Sequence, residues 1–196
     1  QGEPLANARN VWKAIETLNS PYGFNLGARH FTISTAGIAP QIKELASRNL
    51  QVGLAVSLHA PDNALRNKLM RVNKKYPIED LLEACREYTA ATNRRLTFEY
   101  ALIHHVNDSR GQARALARLL KGMLCHVNLI PLNAVEGSEL NPSPRDRVLA
   151  FQAELRKEGI GATVRARRGT HIDAACGQLK ARLAGDAPQP EGKAHV

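Results

Sequence analysis

Val52-Gly53-Leu54-Ala55-Val56-Ser57-Leu58-His59-Ala60-Pro61 begins as an almost continuous apolar run and ends in a polar, turn-forming tripeptide. A run this long without polar alternation suits a strand buried on both faces, as in a parallel sheet covered by helices. Its C-terminal end delivers His59-Ala60-Pro61 to a loop. Similar segments lie on either side. Phe31 to Thr35 reads as a short β-branched strand closed by Ala36-Gly37. Leu96 to Ile103 is another, with Glu99 as its odd polar member, and His126 to Pro131 and Gly161 to Arg167 follow.

Helical periodicity fills the gaps between these strands. Val11, Ala14, Ile15 and Leu18 recur at helical spacing, as do Ile38, Ile42 and Leu45. Ile78, Leu81, Leu82, Cys85 and Tyr88 share one stripe, which gives Cys85 a packing role. Ser109 with Gln112 forms a capping box before Ala113, Leu116, Ala117 and Leu120. Ser143 is expected to cap a helix that has Pro144 at its first position and Val148, Phe151 and Leu155 on its buried stripe. Strand followed by helix, repeated, predicts an α/β fold with a parallel sheet and right-handed crossovers. Residues 1–184 read as one core and residues 185–196, rich in Pro, Gly and Ala, as a disordered tail.

The chain has 196 residues, 43% apolar, with a formal charge of +9 and a pI near 9.8. That balance suits a polyanionic partner. No apolar run approaches the roughly 20 residues of a membrane span, and no signal peptide opens the sequence. Cys85, Cys125 and Cys176 are few, odd in number and far apart, which argues for a reducing cytosol over a disulfide scaffold. The chain is expected to be cytoplasmic, off the membrane and monomeric. It starts at Gln1 and enters a Gly-Glu-Pro turn, so we expect a fragment whose N-terminal part is absent.

Polar residues gather where the strands should end: Gly2-Glu3, Ser34, Ser57, His59, Asn128 and Asn133. In β/α barrels the C-terminal strand ends form the active face. The set suits an amino acid's ammonium and carboxylate, a ribose and an adenine edge. Arg66, Lys68, Arg71, Lys74 and Lys75 form a run without an acid, read either as a solvated face or as phosphate contacts. Arg165, Arg167 and Arg168 precede Cys176, which stands between Ala174, Ala175 and Gly177. Nearby guanidinium charge favours thiolate, and small neighbours allow close approach, although a small buried cysteine fits the same spacing. The adjacent His104-His105 pair, whose side chains are expected to diverge, is not read as a metal site.

Taken in order, Gly2-Glu3-Pro4-Leu5, Ile33-Ser34-Thr35-Ala36-Gly37-Ile38, Ser57-Leu58-His59-Ala60-Pro61, Glu99-Tyr100, Asn107-Asp108, Asn128 to Asn133 and Ala174 to Leu179 resemble the radical S-adenosylmethionine RNA methyltransferases that act on an adenine ring carbon. The resemblance covers residues 1 to 182. It implies an incomplete parallel β/α barrel of the radical SAM type, with the first strand and the cluster loop missing from this chain. It implies that Gly2 and Glu3 hold the ammonium of S-adenosylmethionine, that Ser34, Ser57, Leu58 and His59 line the same molecule, and that Asn133 meets its nucleoside end. It makes Cys176 the cysteine that is methylated and then passes the carbon to adenine. It puts Arg66, Lys68, Arg71, Lys74, Lys75, Arg165, Arg167 and Arg168 on RNA. The implied partners are 23S rRNA, tRNA and an electron donor such as flavodoxin. Carbon 2 is favoured over carbon 8.

The family's C-x-x-x-C-x-x-C motif for a 4Fe-4S cluster is absent, and its place lies upstream of Gly2. The three cysteines cannot form such a local loop. Two further readings compete: a non-catalytic RNA-binding module derived from that fold, and an unrelated barrel enzyme of phosphate-bearing substrates. Iron and sulfide reconstitution of the 196-residue chain should leave no visible cluster absorbance; a stoichiometric cluster would mean that its own side chains supply the ligands.

Overall fold

The computed structural model describes residues 2–48, 50–133 and 140–165. Five strands form one sheet: β1 (Thr32–Thr35), β2 (Gly53–Ser57), β3 (Leu96–Leu102), β4 (Cys125–Pro131) and β5 (Ala162–Val164). They lie side by side in chain order, and every neighbouring pair is parallel. Helices α1 (Ala8–Asn19), α2 (Ala39–Ser47), α3 (Asn63–Leu69), α4 (Ile78–Thr92), α5 (Arg110–Leu120) and α6 (Arg145–Lys157) connect and flank them. The expected α/β architecture with a parallel sheet is therefore present. The tail from residue 185 lies outside the described residues.

Side chains alternate across a strand, so register decides which residues share a face. Ile33, Val56, Phe98, Tyr100, Val127 and Leu129 point to the helices and join one apolar core. The opposite face carries Ser34, Ser57, Thr97, Glu99, Asn128 and Thr163. A strand buried on both faces was the expectation for Val52 to Leu58. β2 comes nearest to it, with Leu54, Ala55 and Val56 all buried, whereas β1 and β3 alternate between buried and partly open positions. The helices thus cover one side of the sheet and leave a polar side.

The stripes of α4, α5 and α6 are buried as their spacing predicts. The Ser109–Gln112 capping box closes in both directions, with Ser109 Oγ accepting from the Gln112 amide and Gln112 Oε1 from the Ser109 amide. Other expectations need correction. α1 buries Trp12 and Ile15 and leaves Ala14 exposed, because the indole is the largest apolar surface on the helix and also donates from Nε1 to Glu44 at 3.0 Å. Ser143 does not cap α6. Pro144 occupies the cap position, and the Ser143 hydroxyl donates instead to Asp108 Oδ2 at 2.9 Å. Pro4–Asn7 forms a 3-10 turn following Glu3. α3, capped by Asp62 accepting from the Leu65 amide, has no apolar stripe to announce it.

The largest correction is Arg66. It lies in the basic run assigned to RNA, yet it is fully buried. Nε donates to Leu58 O at 3.1 Å, Nη1 to Asn73 Oδ1 at 2.8 Å, and Nη2 to Ala36 O at 2.8 Å and Ser57 O at 3.0 Å. A guanidinium spent on four acceptors inside the protein cannot meet a phosphate. Gly37, at φ 109°, leaves room for it: a Cβ there would stand 3.1 Å from Arg66 Nη2. Arg66→Met should leave several buried acceptors unpaired and destabilise the fold by about 3 kcal/mol or more. Urea denaturation would measure this, and a loss of under about 1 kcal/mol would show that water replaces the guanidinium.

Candidate functional site

Register places Ser57, Glu99, Asn128 and Thr163 in one row across four strands, on the face without helices. Asn128 Nδ2 donates to Glu99 Oε2 at 2.8 Å. Glu99 is the only carboxylate among the described strand residues of that face. Burial raises its pKa, against the lowering effects of the Asn128 hydrogen bond and the nearby Arg165 charge. Sequence reading marks Glu99 only as an odd polar member. Its alternation with Phe98 and Tyr100 is the signal that places it opposite the core.

Glu3 sits beside the end of β1. Its Oε1 accepts from the Leu5 amide at 3.0 Å and from Thr35 Oγ1 at 2.7 Å, and its Oε2 from the Ala36 amide at 2.6 Å. These bonds aim the carboxylate and leave lone pairs for a cationic ligand. Gly2 is exposed next to it, and Ser34 is exposed on the polar face. Ser57 is half-buried, with its carbonyl held by Arg66.

Leu58 departs from its expected role. Its side chain is fully buried in the core on the helix side. Its amide donates to Glu99 O at 3.0 Å, and its carbonyl accepts from Arg66. It therefore shapes the strand end and cannot line a ligand with its side chain. Asn133 is half-buried just beyond β4.

His59 follows β2 with φ 58°, a left-handed conformation that costs energy in a residue other than glycine. Asn107 holds the loop there, its Nδ2 donating to His59 O at 2.9 Å and to Ala101 O at 2.7 Å. The Ala101 amide donates to His59 Nδ1 at 3.0 Å, so the ring proton of neutral His59 is on Nε2. Burial first, and then the Arg66 charge, lower the imidazole pKa to about 4. The site thus offers a fixed neutral donor.

Of the basic residues, Lys68, Arg71, Lys74, Lys75 and Arg165 are exposed, as phosphate contact requires. Arg167, Arg168 and Cys176 lie outside the described residues. Burial raises the thiol pKa of Cys85 to about 12 and of Cys125 to about 11, so both are protonated at neutral pH. Among the described residues no group of three or more His, Cys, Asp or Glu side chains could hold a metal ion. These residues therefore supply no ligand set for an iron–sulfur cluster. Their carboxylates, hydroxyls and amides do suit the ammonium, sulfonium and ribose of S-adenosylmethionine. A cavity of about 590 Å³ lies elsewhere, on the helix side, between Pro131, Val164 and the start of α6. No described helix is long and apolar enough to cross a membrane.

No family model matches the sequence. The chain is 52% identical, over 91% of its length, to a probable dual-specificity RNA methyltransferase RlmN from Caldanaerobacter subterraneus subsp. tengcongensis. It is 51% identical, over 92% of its length, to one from Desulforamulus reducens. It spans about half the length of each, 52%. Among solved structures, a radical SAM methyltransferase from Sphaerobacter thermophilus superposes with a TM-score of 0.87 at 49% identity, over 91% of this chain and 52% of that one. A domain of pyruvate-formate lyase-activating enzyme from Bacteroides vulgatus gives 0.65 at 19% identity, over 85% of this chain and 96% of that domain, a likeness of fold alone. In its parallel sheet and in 91% of its length the chain is thus similar to a radical SAM methyltransferase. Its sequence is RlmN-like across that same 91% of its length.

A folded-state pKa of about 4 against an ordinary 6.5 means that the unfolded chain binds more protons between those values. His59 therefore contributes stability that is complete above pH 6.5 and is lost as the pH falls through about 4. The expected loss is up to about 3 kcal/mol. Denaturation at a series of pH values, compared with His59→Gln, would show it; identical profiles would mean that His59 is solvated.

Proposed function

We propose that this chain is the C-terminal part of an enzyme that methylates carbon 2 of adenine in 23S rRNA and tRNA by radical S-adenosylmethionine chemistry. The observation that carries this reading is the polar row Ser57–Glu99–Asn128 on the open face, beside Glu3, in a chain so similar to RlmN.

An adenine ring carbon is a poor nucleophile, so direct transfer from a sulfonium would fail. S-adenosylmethionine, when bound, supplies both the methyl carbon and the radical chemistry that overcomes this. The described residues bind and orient it. Glu3 accepts from the ammonium, held in line by Thr35 and the Ala36 amide. Ser34 and Ser57 offer hydroxyls to its polar groups. His59 presents Nε2–H as a donor that stays neutral across the physiological range. Asn133 meets the nucleoside end. In this reading the cluster's ligands lie upstream, with an external electron donor such as flavodoxin. Lys68, Arg71, Lys74, Lys75 and Arg165, with Arg167 and Arg168, attract RNA phosphates, a sequence-independent and salt-sensitive contribution. The enzyme is read as a cytoplasmic monomer.

Cys176 is the proposed carrier of the methyl group. Its thiolate is a better acceptor of the first methyl than a hydroxyl would be. In the enzyme extended upstream to its iron–sulfur motif, Cys176→Ser should abolish RNA methylation. Cys85→Ser and Cys125→Ser should retain it, since both thiols are protonated and neither lies in the polar row. Mass spectrometry should find an added methyl on the Cys176 peptide. Undiminished methylation by Cys176→Ala would refute the carrier role.

A further inference from the structure

The loop between α1 and β1 is folded firmly against the protein yet turns its largest side chains outward. Gly23 packs so closely on the end of α1 that a Cβ would lie 2.4 Å from the Thr17 carbonyl oxygen. The Gly23 and Asn25 amides donate to Ser20 O at 3.0 and 3.1 Å, and the Leu26 amide to Leu18 O at 2.9 Å. Asn19 Nδ2 adds a bond to Leu26 O at 2.8 Å. Asn25 completes the turn with φ 51°. On this frame Tyr22 is 100% exposed, Phe24 71% and Leu26 44%. A single exposed apolar residue needs no explanation, but two rings and a leucine on one fixed turn form a patch.

The surrounding charge narrows the choice of partner. Arg29 and His30 follow at once in an exposed 3-10 turn. No carboxylate side chain occurs between Glu16 and Glu44. The loop leads into β1, so it lies at the N-terminal ends of the strands. Exposed Arg95 and Lys121 lead into β3 and β4 at that same end. Rings that stack on bases, flanked by cations that meet phosphates, are how single-stranded nucleic acid is bound with little regard to sequence. Cations in a stretch of sequence without carboxylates suit a polyanion better than an apolar protein surface.

We propose that the Tyr22–Phe24 turn is a stacking platform for unpaired RNA bases, with Arg29 and His30 beside it to meet the backbone. This rests on the RNA-methyltransferase reading and adds to it a docking surface at the end of the sheet opposite the cofactor groups. The platform would hold flanking RNA while the target adenine enters at the other end.

The test uses the 196-residue chain and a fluorescent single-stranded RNA oligonucleotide at low salt. The double variant Tyr22→Ala, Phe24→Ala should weaken binding by about 30-fold or more, since stacking contributes about 1–3 kcal/mol per base and two rings are removed. Tyr22→Phe should bind as the parent does. Both variants should melt like the parent, because the rings make no buried contact. A photo-crosslinking residue at position 22 should capture the RNA. Unaltered affinity in the double variant, with no RNA captured, would overturn the platform and leave the RNA-methyltransferase reading standing. Capture of a polypeptide in place of RNA would overturn it in favour of a protein partner. A parent chain that binds no RNA would sink both.

Discussion

The end of the sheet depends on one buried cation. Arg66 lies in α3, and its guanidinium reaches back under the C-terminal ends of β1 and β2. It has no carboxylate partner among the described residues. Carbonyl oxygens and the Asn73 side chain satisfy it instead, at the cost of desolvation, which lowers its pKa to about 10 and leaves it charged at neutral pH. The network continues outward. Asn73 Nδ2 donates to Asn63 Oδ1, and the same oxygen accepts from the Ile78 amide at the start of α4. One side chain thus ties two strand ends, the helix after them and the start of the next helix into a single unit.

That arrangement also sets the chemistry of the mouth. The Arg66 charge and burial act together on His59 and keep its ring neutral. Asn107 fixes the same loop from the other side, joining His59 to the end of β3. The Asn107 carbonyl accepts from the Tyr100 hydroxyl at 3.0 Å, and its Oδ1 accepts from the Ile103 amide at 2.7 Å. Next to it, buried Asp108 accepts from Ser143 Oγ and Arg147 Nη1, so the β3 loop is anchored to α6. The hydrogen bonds that satisfy buried polar groups are therefore the ones that aim the exposed groups. A ligand meeting this mouth finds its donors and acceptors already oriented, and little ordering entropy remains to be lost on binding.

A sheet with helices on one side is half of an enclosed fold. The polar row would be costly to bury without partners, and here it is open to a ligand. Opposite the mouth, the strands are entered from loops that carry Arg29, His30, Arg95 and Lys121. The two ends of the strands therefore differ in chemistry. One end gathers hydroxyls, amides and a carboxylate suited to a small zwitterionic cofactor. The other gathers positive charge and exposed rings.

Much of this was legible in the residues themselves. The stripes Ile78–Leu82–Cys85 and Leu116–Leu120 are periodic because a helix repeats its surface every few residues, and that repetition is local. The order and direction of the strands follow from the strand–helix alternation, which permits few topologies. The placement of Ser34, Ser57 and Asn133 near the strand ends followed from the same alternation. Tertiary structure alone decided the rest. Trp12 was chosen over Ala14 for the buried side of α1 by what lay across from it, including Glu44 at 32 positions along the chain. Ser143 was drawn from its cap by Asp108, and Leu58 was turned into the core by strand parity. Arg66 sits among surface cations in the sequence, and only the carbonyls of Ala36, Ser57 and Leu58, gathered in space, make its burial possible. Periodicity is written in neighbours, whereas the satisfaction of a buried charge is written in residues that meet only after the chain has folded.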